Sequence, residues 1–380
     1  MKGHGRHVSL QTTWPWQSTR ASRPVVGWSL HRKLNDTFTK KCYVIPHAVL
    51  KTALPGDCTL LSPLGSSSSQ EGKRGLKSQP QQIKGIVHFV GGAFAGAAPV
   101  SLYSELLEYI VEDGFSVIVT PYQVTFRHDS CARNLDSLFS DTLDRLQTEP
   151  SSSAGSSDTA MMVPSNVPIF GIGHSNGALM HALIGSSDFS GRSRKPTAAN
   201  ILISFNNRQV AEAVPVPLTP LRDTVNSMRK GDETLEEQTR KAAMDAIDSL
   251  SWLPSGGKND QGGTLDSMYE ILPATVQIGS VLDEVGDGLT NFVPSPEENR
   301  RLIASEYSVN KTLILQFQDD SIDESSVLFR TLKRKPKRSV TYTTLDYGSH
   351  TTPLNVSAPS EIRRLATTVV AFLNRCSTLE

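Results

Sequence analysis

Cysteine is scarce in this 380-residue chain, with only four residues and no C-x-x-C pair. The scattered spacing argues against a disulfide framework and a zinc ribbon, and it fits a reducing compartment. No run of about 18 apolar residues occurs, so no membrane-spanning helix is expected. The 38 basic and 38 acidic residues cancel. No global field therefore points to nucleic acid or to an acidic membrane surface.

Acidic residues are missing from the first 35 positions, which contain six lysines and arginines and many serines and threonines. No apolar stretch of the kind found in secretory signals follows. This composition is typical of an organelle transit peptide. We therefore predict an unstructured transit peptide over residues 1–35, with a disordered basic tail as the alternative, and a folded domain over 36–380.

A G-x-G-x-x-G fingerprint is also missing after the first buried strand, and no acidic residue ends the next strand at Thr120. Both absences argue against a dinucleotide-binding site. Apolar runs do alternate with amphipathic helical patterns, which predicts a mostly parallel, doubly wound α/β sheet. The predicted strands are 85–90, 115–120, 167–170, 200–205, 312–317 and 340–345, with a first strand-like run at 41–46.

Residues 211–307 carry helical patterns and no clear strand. An insertion between two late strands would lie over the carboxyl ends of the sheet, where ligands bind in such folds. We predict a helical lid here, with an ungated helical decoration as the alternative. Apolar residues between 265 and 282 favour a lipid-like or acyl substrate, unless they only pack the insertion itself.

The most informative segment is G-I-G-H-S-N-G-A, residues 171–178. A short apolar strand precedes it and an apolar helix follows it, which is the layout of a nucleophile elbow. Gly173 and Gly177 lack a Cβ and permit the sharp turn. The sequence therefore predicts that Ser175 lies exposed at the apex as a nucleophile.

A serine hydroxyl needs a base within hydrogen-bond reach and an acid that orients the base. The predicted order along the chain is serine, acid, histidine. His350 follows the last predicted strand and is our candidate base. Asp320 follows the strand before it and is the preferred acid, with Asp323 as the alternative. Weaker candidates are Asp319 and Asp346 for the acid and His88, His128, His174 and His181 for the base.

The oxyanion formed during acyl transfer needs backbone N–H donors. The sequence predicts one donor at Asn176, directly after the nucleophile. The other is predicted at Ala93 or Phe94, in the Gly-rich loop after strand 85–90. A phosphate-binding turn is the alternative interpretation of Gly91 and Gly92. No cofactor or metal is implied.

Several motifs together resemble the domain-of-unknown-function 1350 family, a group of α/β-hydrolase-like proteins of plants, algae and cyanobacteria. The matching segments are 87–99, 121–128, 203–207, 292–298 and 348–354. The resemblance extends from about residue 41 to the C-terminus. It implies an α/β-hydrolase fold and a chloroplast location, with mitochondrion or cytoplasm as alternatives. It implies no particular substrate. Asn176 stands where leucine is more usual in such elbows.

These observations predict a serine hydrolase or acyl transferase that acts on an ester, thioester or amide. The substrate would be a small acyl or lipid-like molecule. The alternative hypothesis is a catalytically inactive scaffold of the same fold that binds a ligand or a protein. Geometry separates the two, because chain order alone does not bring Ser175, Asp320 and His350 into contact.

Overall fold

The computed structural model describes residues 49–63, 83–148, 163–187, 196–209, 284, 287–289, 291–334, 338–355 and 357–378. All of them belong to the compact unit Cys42–Glu380. The predicted transit peptide, the strand-like run at 41–46 and residues 211–283 of the predicted insertion lie outside the described residues.

The described residues form one eight-stranded sheet in the order β1-β2-β4-β3-β5-β6-β7-β8. Strand β2 pairs antiparallel with both β1 and β4, and all the other neighbours are parallel. The strands are β1 (Val49–Ala53), β2 (Thr59–Pro63), β3 (Gly85–Val90), β4 (Phe115–Val119), β5 (Ile169–His174), β6 (Thr197–Ile203), β7 (Lys311–Asp319) and β8 (Ser339–Ser349). The prediction of a mostly parallel sheet is confirmed.

The described helices connect these strands and cover both faces of the sheet. They are α1 (Pro99–Leu102), α2 (Ser104–Glu112), α3 (His128–Thr148), α4 (Asn176–Ile184), α5 (Pro296–Glu306), α6 (Ser325–Leu332) and α7 (Pro359–Ser377). One core cluster joins the sheet to α2 and α7. Two others join it to α3, α4, α5 and α6. Every residue of β3, β4 and β5 is buried, which explains why these strands are continuous rather than alternating apolar runs.

Helix α5 is the described end of the predicted lid, and it belongs to the body of the fold. It begins at the predicted capping box, in which Ser295 Oγ accepts from Glu298 N–H at 3.3 Å and Glu298 Oε2 accepts from Ser295 N–H at 2.8 Å. Ile303 and Tyr307 are fully buried in the core that contains α4. This last helix of the predicted insertion therefore packs against the core.

No helix within the described ranges is long and apolar enough to cross a membrane.

Candidate active site

Ser175 lies between β5 and α4 with φ 56° and ψ −119°, a strained conformation for a residue with a side chain. The turn is tight because glycines allow the backbone to pass close to itself. A Cβ on Gly173 would lie 2.3 Å from the Gly177 carbonyl oxygen, and one on Gly177 would lie 2.2 Å from that of Val90. The sequence thus folds into a sharp strand-to-helix turn that presents Ser175 above the carboxyl end of β5.

His350 contacts Ser175 directly. Its Nε2 lies 2.8 Å from Ser175 Oγ. His350 follows the end of β8, so the parallel direction of the sheet brings it to the same edge as the elbow. The imidazole is therefore placed to accept the serine proton.

Asp320 is on the other side of the imidazole, where Oδ2 accepts from His350 Nδ1 at 2.8 Å. Its carboxylate side chain is fully buried. Burial raises the pKa of Asp320, but the hydrogen bond and the charge of His350 outweigh it, so the pKa lies below the usual value. The second oxygen, Oδ1, accepts from Ile322 N–H at 3.2 Å. Asp320 is thus a carboxylate that orients His350.

The alternative acids have other partners. Asp323 accepts from the backbone N–H of Ser325 at 2.6 Å and from its hydroxyl at 2.9 Å, and so caps the start of α6. Asp346 pairs with Arg364 at 2.9 Å, and Asp319 is an exposed residue at the end of β7. The candidate acid in contact with His350 is therefore Asp320.

Of the rival histidines, His88 lies inside β3 with Nε2 2.7 Å from Thr120 Oγ1, and His181 is buried within α4. His128 opens α3 and lines the cavity beside Ser175. His174 immediately precedes the nucleophile, but its ring contacts the backbone of His350 rather than the serine. The histidine that contacts the Ser175 hydroxyl is His350.

The predicted oxyanion donors come from two segments, the start of α4 and the loop after β3. Asn176 is the first residue of α4, so its N–H has no acceptor within the helix. Ala93 lines the same cavity as Ser175 and Asn176. Phe94 begins the short 3₁₀ turn that follows. The Gly92 N–H is engaged elsewhere, because it donates to Tyr103 Oη at 2.8 Å. The Gly92 N–H is therefore not available as an oxyanion donor, and Ala93 and Phe94 remain the predicted donors of this loop.

A second group of polar side chains was not found by sequence reasoning. Tyr122 Oη donates to Asn176 Oδ1 at 3.0 Å, and it also lies 3.2 Å from the Gly91 carbonyl oxygen. Asn176 Nδ2 lies 3.3 Å from His128 Nε2. Burial lowers the pKa of His128 to about 4, so the neutral ring accepts from the amide. Asparagine in place of leucine after the nucleophile was the one sequence signal for this group.

The cavity beside Ser175 is lined by both apolar and polar residues. Val124, Phe126 and Phe292 are among the apolar lining residues, and Asn206 and Arg208 are among the polar ones. Arg208 also donates to two backbone carbonyl oxygens in the loop that contains Asp320, those of Ser321 at 2.6 Å and Ile322 at 3.1 Å. In the described part of the chain, no three His, Cys, Asp or Glu side chains are grouped to hold a metal ion.

The sheet order, the antiparallel β2 and the elbow after β5 define the α/β-hydrolase fold. Residues 71–363 match the family described as protein of unknown function DUF1350, and the chain belongs to that family. The resemblance to this family is thus confirmed.

Solved structures with similar folds include three proteins at 12% sequence identity. One comes from a study of two fungal esterases from Rhizomucor miehei (94% of this chain, 93% of that chain, TM-score 0.47). The others are esterase B from Lactobacillus Rhamnosis (92% and 93%, TM-score 0.45) and Cfl2 from Burkholderia cenocepacia (88% and 99%, TM-score 0.48). No curated protein sequence matches the chain. The fold assignment rests on the chain's own sheet and elbow.

Proposed function

We propose that the protein is a serine hydrolase that cleaves an ester, thioester or amide through an acyl-enzyme on Ser175. The observation that carries the proposal is one continuous chain of contacts. Ser175 Oγ lies 2.8 Å from His350 Nε2, and His350 Nδ1 lies 2.8 Å from Asp320 Oδ2. Nucleophile, base and orienting acid are therefore in the order and at the distances that activate a serine hydroxyl.

In the first half-reaction, Ser175 Oγ forms a bond to the substrate carbonyl carbon while its proton passes to His350 Nε2. Asp320 stabilises the imidazolium that results, because its carboxylate is ionised and accepts a hydrogen bond from Nδ1. The backbone N–H groups of Asn176 and of Ala93 or Phe94 hold the oxyanion. When the tetrahedral intermediate collapses, the bond to the leaving group breaks and His350 returns the proton to it.

In the second half-reaction, a water molecule attacks the acyl carbon and gives its proton to His350. The ester bond to Ser175 then breaks, and the proton returns to Oγ. An alcohol, thiol or amine that takes the place of water would give acyl transfer with the same proton steps. The apolar lining residues of the cavity, which include Val124, Phe126 and Phe292, support an acyl or lipid-like substrate.

The proposal is tested with a fluorophosphonate probe, which loses fluoride when an activated serine attacks its phosphorus atom. We expect the parent protein to be labelled at Ser175 and Ser175→Ala to remain unlabelled. A screen of acyl esters and thioesters of increasing chain length then defines the substrate. If well-folded parent protein is not labelled, the inactive scaffold becomes the better account.

We further propose that residues 1–35 direct the protein to the chloroplast. The support is the row of basic residues without an acidic residue before Asp36. Fusion of residues 1–40 to a fluorescent protein tests this in plant cells. Chloroplast fluorescence supports the proposal, whereas mitochondrial or cytoplasmic fluorescence contradicts it.

A further inference from the structure

His174 precedes the nucleophile and makes two hydrogen bonds at its ring nitrogens. Nε2 lies 2.9 Å from the backbone carbonyl oxygen of His350, and Nδ1 lies 2.7 Å from Tyr103 Oη. Both side chains are almost completely buried, with exposed fractions of 2% for His174 and 0% for Tyr103. Neither bond is therefore exchanged with bulk water, and each is costly to lose.

The direction of these hydrogen bonds follows from the chemistry of the groups. A carbonyl oxygen only accepts, so His174 Nε2 carries the proton and donates to His350. Tyr103 Oη already accepts from the Gly92 N–H at 2.8 Å. Its own proton therefore goes to His174 Nδ1, which is the accepting nitrogen of a neutral imidazole. The result is a directed chain from Gly92 through Tyr103 and His174 to His350.

The two ends of this chain are parts of the proposed catalytic machinery. Gly92 adjoins Ala93 in the loop that supplies an oxyanion donor, and His350 is the proposed base. The chain passes through the residue next to Ser175. Burial and the nearby positive charge of His350 lower the pKa of His174 to about 3. The ring therefore stays neutral when His350 becomes an imidazolium ion.

We propose that His174 and Tyr103 are positioning residues that lock the base loop and the oxyanion loop to the nucleophile strand. The proposal rests on the serine hydrolase function proposed above. The contacts that hold His350 then include the carboxylate of Asp320, the hydroxyl of Ser175 and the ring of His174. Loss of the third contact removes one restraint on the backbone of His350, whereas the ring keeps its contacts with Asp320 and Ser175.

Two substitutions with amide side chains test the contact with Tyr103 and the contact with His350 separately. In His174→Asn, the short amide reaches the position of Nδ1 and can accept from Tyr103, but the contact with His350 is lost. In His174→Gln, the longer amide reaches the position of Nε2 and can still donate to His350. His88→Asn is the matched control, because His88 is also a buried histidine of a central strand but binds Thr120.

The experiment measures the maximal rate constant of fluorophosphonate labelling, the concentration of probe at half that rate, and the labelled fraction. A displacement of about 1 Å in a catalytic group costs up to about 100-fold. We expect His174→Asn to lower the rate constant by about 10- to 100-fold with little change in the half-saturating concentration. His174→Gln should recover most of the rate. A role in stability alone would lower the labelled fraction and leave the rate constant of folded molecules unchanged.

The proposal would be overturned if folded His174→Asn were labelled with the same rate constant as the parent protein. It would also be overturned if His88→Asn lowered the rate constant as much as His174→Asn does. If His174→Asn does not fold, Tyr103→Phe decides, because it removes the hydroxyl that connects Gly92 to His174. We expect Tyr103→Phe to lower the labelling rate constant by a similar factor. A rate constant equal to that of the parent protein would overturn the proposal.

A second measurement does not depend on catalysis. The ¹⁵N chemical shifts of the His174 ring at about pH 7 report its tautomer. The proposal requires the proton on Nε2, and a proton on Nδ1 would overturn it. Absence of labelling in the parent protein would instead count against the serine hydrolase function, so the two failures are distinguishable.

Discussion

Asp320 and His350 are 30 positions apart in the chain, yet the carboxylate oxygen of one lies 2.8 Å from the imidazole nitrogen of the other. They follow β7 and β8, which are parallel neighbours in the sheet. The contact fixes which ring nitrogen carries the proton and so leaves Nε2 to face Ser175. If the protein is the serine hydrolase proposed above, Asp320 is the acidic residue whose loss should lower its activity most.

Asp320→Asn should lower the rate of fluorophosphonate labelling by about 10³-fold or more, the order of loss that neutralising the acid causes in a serine triad. The reason is that an amide can donate to Nδ1 and so favour the wrong tautomer of His350. Rates are measured on folded protein at equal occupancy by the probe.

Asp323→Asn is the matched control for that substitution, because it removes a carboxylate three positions away on the same loop. Asp323 contacts Ser325 and caps α6. We expect a labelling rate within about threefold of the parent, because the substitution leaves the contact between Asp320 and His350 in place and affects it only indirectly. A large loss in Asp323→Asn together with a small one in Asp320→Asn would reverse the assignment of the acid.

The free energy of unfolding should depend on pH through Asp323. Burial, together with the nearby charge of Asp320, raises the pKa of Asp323 from 3.8 to about 7, although the bonds from Ser325 lower it in part. The unfolded chain releases this proton near pH 4, whereas the folded protein holds it up to about pH 7. The stabilisation is therefore complete below about pH 4 and is lost as the pH rises through 7.

Because the side chain is partly exposed, we expect a loss of about 2 kcal/mol rather than the full value of the pKa shift. Urea denaturation at pH 5 and pH 8 measures it. Asp323→Asn keeps both capping contacts and should lack this part of the decline. An unchanged pH dependence in the variant would show that Asp323 does not bind the proton in this range.

Asn176→Leu separates the side chain of the residue after the nucleophile from its backbone N–H. The substitution leaves His128 without the amide donor, while Tyr122 can still donate to the Gly91 carbonyl oxygen. We expect a loss of about 1–2 kcal/mol in the free energy of unfolding and a labelling rate within about tenfold of the parent. A loss of labelling comparable to that of Asp320→Asn would mean that the side chain takes part in the chemistry.

The positions of Ser175, Asp320 and His350 could be predicted because each follows a parallel strand, and parallel strands end at one edge of a sheet. The choice between Asp320 and Asp323 was harder, since both residues follow the end of β7. The structure shows the physical difference: the first carboxylate points to His350, and the second satisfies the N-terminus of α6.

The chain from Gly92 to His350 could not be predicted from the sequence. Tyr103 has the pattern of a core aromatic residue before α2, and His174 reads as a variable position of the elbow. Their roles depend on a contact between side chains 71 positions apart. The strand before the elbow was predicted at 167–170 from its apolar run, whereas β5 extends over Ile169–His174. Glycines 171 and 173 occur inside β5 because neighbouring atoms leave no room for a Cβ. A Cβ on Gly171, for example, would lie 2.3 Å from Asn200 Oδ1.

Gly177→Ala should damage the elbow itself. A methyl group there would lie 2.2 Å from the Val90 carbonyl oxygen and 2.4 Å from that of Gly91, and neither backbone group can move without shifting β3 or the oxyanion loop. We expect the free energy of unfolding to fall by about 3 kcal/mol, measured by chemical denaturation, together with a lower labelling rate. A free energy of unfolding equal to that of the parent protein would show that the close approach of α4 to the end of β3 is not required for stability.

The most direct test of the central claim is to trap the acyl-enzyme. The protein is mixed with a p-nitrophenyl ester of a short acyl chain, and p-nitrophenolate release and the intact mass are followed together. The account predicts a burst stoichiometric with the enzyme, an acyl group that peptide mapping places on Ser175, and neither signal in Ser175→Ala. A folded parent protein that shows no burst with this ester and no labelling by the fluorophosphonate probe would contradict the account.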